Sequence, residues 1–266
     1  MAYLLLAFYC YFLNINGPFT PFLKDELKLS YPVSSLHFTA FAIGILLVGL
    51  SGHILIQHIG RWHALWLGAF GINVSTFILL AGKSVAFTIG ASFCLGLVGS
   101  LILVIIPSVL SDQHGDMRAV ALSEANVIAS LVSTAAPLVV GWSANIPGGW
   151  RLALGTVDFA PFLMRIGFGR PPLPLSTSRP IVSPSLRGPS PIMFWVYWAA
   201  LVLAVFVEFC RIYWSADYLE NSLGILKADA AQANSLFLTG MIIGRLAGSH
   251  IIQFFQRAKW LLPLSW

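Results

Sequence analysis

Two carboxylates stand deep inside apolar stretches of this chain, Glu124 and Glu208, where a carboxylate can carry a proton, hold a polar solute or pair with a cation. Glu124 follows Arg118 by six positions, about 9 Å along a helix, too far for so short a side chain to reach the interface fully. It is read as a coupling or gating group, or as packing. Asn126 sits about 160° away around the same helix and is read as a lining residue or as an interhelical hydrogen-bonding one. Glu208 lies roughly 24 Å into a hydrocarbon layer about 30 Å thick, with Arg211 three residues on. The two form either a structural i,i+3 pair near a rim or a proton-sensitive polar site. On the first helix, Asn14 and Asn16 flank the backbone that Pro18 frees from hydrogen bonding, a place for a ligand or for water and neighbouring helices. Trp214 could stack on a sugar ring or sit in an interfacial aromatic belt. Asp158 and Arg165 are read as structural.

Catalysis finds no support in the same inventory. His37, His53, His58, His63, His114 and His250 form no HExxH, and there is no GxSxG elbow or P-loop. Cys10, Cys94 and Cys210 lie in apolar runs without a CxxC, so neither a metal site nor a disulfide framework is expected. The chain is read as a non-enzyme without cofactor.

The elements that must position these residues are membrane helices. Of 266 residues, 58% are hydrophobic and 9% charged, with a mean hydropathy of +0.83, and a soluble fold lacks its charged shell at that composition. The net charge of +5 therefore points to lipid contact and not to nucleic acid. The apolar runs predict spans near 3–23, 35–56, 64–82, 85–109, 119–142, 151–168, 192–213 and 230–253, the sixth being weak because it carries Asp158, Pro161 and Arg165. A ninth run, Trp260 to Trp266, is a stub, so the second half reads as incomplete. Eight basic and two acidic residues gather on the side of the N-terminus, against five of each sign on the other, which places the N-terminus in the cytoplasm. A six-helix bundle at 1–168, a Pro/Ser/Arg-rich cytoplasmic linker at 169–191 and a partial bundle at 192–266 follow.

The segment from Phe41, FAIGILLVGLSGHILIQHIGRWHAL, lies over FLTGMIIGRLAGSHIIQFFQRAKWL from Phe237. Gly44/Gly240, Gly52/Gly248, Gln57/Gln253 and Arg61/Arg257 coincide, so span two corresponds to span eight in a parallel repeat of six spans. At this point the chain resembles the major facilitator superfamily. Its NGPFTPFLKDEL is similar to the Gly-Pro-Phe-x-Pro stretch of that family's first helix. HILIQHIGRW resembles the family's G-x-L-x-D-R-x-G-R-R loop at Leu55, Gly60 and Arg61, with Gln57 in place of the acid, His58 of the first Arg and Trp62 of the last basic residue. That loop latches the inward-closed state in the family, so the latch here is weakened or rebuilt from neutral hydrogen bonds. FVEFCRIYWSADYL is similar to the seventh helix of the fucose-permease-like branch, keeping Glu208, Trp214, Tyr218 and Leu219. The resemblance implies secondary active transport of a small polar solute, with a sugar and a proton as candidates, across the cell membrane by alternating access. A non-transporting membrane protein or an inactive fragment is the alternative.

Overall fold

Apolar stretches leave the backbone no water to bond, so each closes its hydrogen bonds internally as a helix. The computed structural model describes residues 1–147, 149–169 and 192–257, the last of these through the backbone alone beyond 244. The order is α1 (Ala2–Glu26), α2 (Tyr31–Ala81), α3 (Val85–His114), a 3-10 turn (Gly115–Met117), α4 (Arg118–Ser143), α5 (Arg151–Gly155), α6 (Ala160–Phe168), α7 (Ile192–Leu223) and α8 (Lys227–Arg257). No strand occurs among the described residues, and the architecture is the expected all-α membrane bundle.

Among the described residues four helices are long and apolar enough to cross a membrane: Tyr31–Ala81, Val85–Met117, Val120–Ser143 and Ile192–Leu223. The first contains two of the expected spans. Its 51 residues are interrupted at Gly60, with φ 80° and ψ 155°, and both arms run along α3. Gly44 on one arm packs on Phe93, Gly96 and Leu97, while Gly68 and Gly71 on the other pack on Val98. Helix α1, 25 residues long, carries more polar groups and packs against α4, α7, α3, α8 and α2, which makes it the central strut. The expected crossing at 151–168 is not one helix. It is five-residue α5 and nine-residue α6 joined by a turn, each far short of the roughly 20 residues that a crossing needs. Residues 170–191 of the expected linker and the stub at 260–266 lie outside the described residues.

In lipid, helices associate through close packing of small residues and not through water exclusion. A side chain at Gly96 would meet the Phe41 carbonyl, and one at Gly17 the backbone of Ile212 on α7. A side chain at Gly240, the repeat partner of Gly44, would meet nothing within 4 Å among the described residues, so the matched glycines do different work. His37, which stands alone in the sequence, is buried and bonded through Nε2 to Thr88 Oγ1 at 2.8 Å.

Gly60 has open space around it, so the demand there is conformational alone. Gly60→Ala is expected to cost about 1–3 kcal/mol of stability, since its backbone region is all but closed to other residues. Thermal unfolding in detergent checks this; an unchanged midpoint would show that the two arms can turn without the left-handed residue.

Candidate functional site

Helices α1, α4, α7 and α8 enclose a cavity of about 150 Å³, lined by polar groups from all but α8: Cys10 and Asn14, Asn126, Ser130 and Ser133, and Glu208. Leu13, Ala129, Leu238, Met241 and Ile242 supply its apolar walls. The volume is room for about five waters or a small polar solute. Asn14 is 6% exposed, and its Nδ2 donates to the Cys10 carbonyl at 2.9 Å and to Ser133 Oγ at 3.0 Å. Ser133 Oγ in turn donates to the Cys10 carbonyl at 3.3 Å, so α1 and α4 are cross-bonded behind the cavity. Asn126 Nδ2 is tied to its own helix at the Leu122 carbonyl, 2.9 Å away.

The remaining sequence candidates lie elsewhere. Asn16 is buried, but its Nδ2 donates to the Phe12 carbonyl at 2.7 Å, and Thr20 Oγ1 bonds the Asn16 carbonyl, so this part of α1 satisfies itself. Glu124 is exposed, accepts a bond from the Tyr3 hydroxyl at 3.0 Å and borders a shallow surface groove with Val120, Ser123, Val127 and Ile128. Arg211 is exposed and places its guanidinium over the Phe237 ring at 5.4 Å. Trp214 is exposed and meets Tyr213 edge-on, 5.1 Å between centroids. Sequence reasoning missed Cys10, Ser130 and Ser133. The signal was present as helical spacing, Cys10 with Asn14 and Asn126 with Ser130 and Ser133.

Beyond the cavity, at the end away from Met1, three consecutive charges of α1 reach three other elements. Lys24 pairs with Asp217 of α7 at 2.7 Å, Asp25 with Lys227 of α8, and Glu26 with Arg151 of α5. Tyr213 adds a bond from its hydroxyl to the Ser34 carbonyl at 2.8 Å. Inside the second pair of helices, Asn234 of α8 bonds Ser215 Oγ at 2.9 Å and the Ile212 carbonyl at 2.7 Å. At the other end α7 is exposed at every residue from Ile192 to Val207. The ion pairs thus tie α1 to α7, α8 and α5 at the end away from Met1, while α7 is uncovered toward the Met1 end among the described residues.

Of the loop motif, Leu55 and Gln57 are exposed, Gly60 makes the turn, and Arg61 bonds Asp112 at 2.6 Å and Ser108 at 2.9 Å. The Arg61 contact is therefore ionic as well as hydrogen-bonded, and both partners belong to α3.

The Arg151 guanidinium holds the Glu26 carboxyl below its ordinary value, with burial opposing and Arg151's charge and the Trp150 side chain helping. A carboxyl with a lowered folded-state pKa contributes stability above its unfolded value of about 4.5 and loses it as pH falls through the folded one. The thermal midpoint in detergent is expected to fall more steeply below about pH 4.5 in the natural chain than in Glu26→Gln. Parallel curves would mean that the pair contributes nothing to the fold.

The sequence profile of the Major Facilitator Superfamily matches residues 2–265. No curated protein matches the chain.

Proposed function

The chain belongs to the major facilitator superfamily, whose members move small solutes across membranes, and from that premise we propose secondary active transport, by symport or antiport, of a small polar solute such as a sugar. The observation that carries this reading is the cavity between α1 and α4 on one side and α7 and α8 on the other, tied by ion pairs at one end and with α7 uncovered toward the other among the described residues. Asn14, Asn126 and Glu208 line the solute site, and Glu208 is the group suited to couple solute to a proton.

In this reading residues 1–168 rock against 192–266 about the cavity, with 169–191 as the cytoplasmic linker and the chain in the cell membrane. With the N-terminus in the cytoplasm, the end where α7 is uncovered faces inward and the three charges after Leu23 seal the outside. Arg61, paired with Asp112, acts with Leu55, Gln57 and Gly60 as the gating loop. That ion pair favours a working transporter over a relic whose loop has lost its purpose.

The test is counterflow in proteoliposomes of the full chain, run over labelled six-carbon sugars, amino acids and small organic acids. One solute class should exchange at least about tenfold above protein-free vesicles, and Asn14→Ala should remove most of that exchange. Exchange of no class would sink the transport reading in favour of a non-transporting membrane protein.

A further inference from the structure

A second pocket, apolar in nearly all of its exposed lining but with two polar side chains at its base, lies on the flank of the bundle, between the 61–81 arm of α2 and the broken α5–α6 segment. It has a volume of about 450 Å³ and is lined by Asn73, Val74, Phe77, Leu80, Gly155, Asp158, Phe159 and Phe162, none of which borders the central cavity. Its aromatic wall is braced from behind: Phe162 packs on Phe70 at 5.0 Å between centroids, Phe70 on Trp66 at 5.3 Å, and the Arg165 guanidinium lies over Trp66 at 5.6 Å.

The floor is chemically unfinished. Asn73 is 8% exposed, and neither its Nδ2 nor its Oδ1 has a hydrogen-bond partner among the described residues. Asp158 Oδ1 is buried and likewise lacks one, and Asp158 forms no ion pair among the described residues. The cations nearest it in sequence are engaged elsewhere: Arg151 with Glu26 and Arg165 over Trp62 and Trp66. A buried amide with both ends unbonded is costly, and a carboxylate in such a setting more so. An evolved hydrocarbon-facing surface keeps such groups only where something completes them.

The completing group has a definable chemistry. A carboxylate asks for a positive charge with N–H donors, and Asn73, which lines the same pocket, offers an amide NH2 donor and a carbonyl acceptor. The ring faces of Phe77, Phe159 and Phe162 attract a cation and accept an apolar arm. Phe77, Phe159 and Phe162 are 69%, 68% and 50% exposed, so the pocket opens sideways, toward the surface that a lipid-soluble molecule reaches first.

We propose that this flank pocket binds a lipophilic organic ammonium carrying a hydroxyl, its N–H donors on Asp158, its hydroxyl on Asn73 and its apolar arm against Phe159 and Phe162. The site is independent of the transport cavity.

Binding of phenylethanolamine to the full chain in nanodiscs tests this by equilibrium dialysis at neutral pH, with protein-free discs subtracted. Saturable binding is expected, with the uncharged isostere 1-phenylethane-1,2-diol at least about tenfold weaker. Asp158→Asn should lose at least about tenfold and Asn73→Leu severalfold, while Asn14→Ala, in the other cavity, should bind as the natural chain does. Equal binding of amine and diol, or full affinity in Asp158→Asn, would overturn the proposal, as would loss of binding in Asn14→Ala, which would move the site to the central cavity. The amine–diol comparison needs only the natural chain, so it decides even if a variant fails to fold.

Discussion

Asp217→Asn is expected to open the cavity to the side of the membrane away from Met1. Asp217 is 7% exposed and holds Lys24 at 2.7 Å, so the pair is shielded from water in a way that surface ion pairs are not. Removing one member of a fully buried pair costs about 3–5 kcal/mol, because the other charge is left behind, and this part-buried pair costs less because Lys24 keeps some contact with water. Lys24 keeps the Tyr31 ring, 3.7 Å from its Nζ, which lowers the loss. A change of even 1.4 kcal/mol moves a two-state equilibrium tenfold, so a seal drawn shut by Lys24, Asp25 and the Gly17–Ile212 contact should loosen measurably. Cys10 lines the cavity and provides the reporter. With Cys94 and Cys210 changed to alanine, a membrane-impermeant maleimide should label Cys10 from the Met1 side in the Asp217 protein. In Asp217→Asn it should also label from the far side, at a rate at least about tenfold above background. The charge-reversed pair Lys24→Asp with Asp217→Lys should restore most of the seal. Labelling in Asp217→Asn that stays confined to the Met1 side would mean that apolar packing alone closes that end.

The helices were legible because lipid forces one solution on an apolar run, and Gly60 was legible because a glycine between two such runs has little else to do there. The failures have physical causes. At 151–168 the run has the right composition but too short a length once Asp158 and Pro161 interrupt it, and it becomes α5 and α6. For Glu124 the sequence gives a position along the helix but not one around it. A helix that is apolar on nearly every side gives no periodicity to orient it, so only the packing against α1 shows that Glu124 meets Tyr3 at an exposed edge while Ser133 faces Asn14. Asn14 and Asn16 pose the same ambiguity. Two residues apart, they point about 160° away from each other, and the one that α4 covers with Ser133 is the one that borders the cavity. Lys24 and Asp217 are 193 residues apart, and no local rule could pair them. Asn73, with its amide buried and unbonded, carried no sequence signal at all.

Glu208→Gln should separate coupling from transport. The exchange preserves the size of the side chain and much of its hydrogen-bonding capacity while removing its ability to hold a proton. Glu208 borders the cavity with Asn14 and Asn126, whereas Arg211, one turn on, turns to the Phe237 ring. If Glu208 carries the coupling proton, uptake driven by a pH gradient should fall at least about tenfold in the glutamine protein, and counterflow of the same solute should survive in part. A purely structural Glu208 predicts a different pattern: lower folded yield in detergent, and equal fractional losses in the two assays, because both then report the amount of intact protein. Measured side by side on equal amounts of folded protein, the ratio of the two activities is the quantity that decides, since yield cancels from it. An unchanged ratio with full accumulation would remove Glu208 from coupling. Glu124 would then be a poor replacement, for it lies at an exposed edge against Tyr3 and not in the cavity. With no second carboxylate among the described residues that line the cavity, solute binding there would have to rest on the neutral groups of Asn14, Asn126 and Ser130, and the gradient would enter elsewhere.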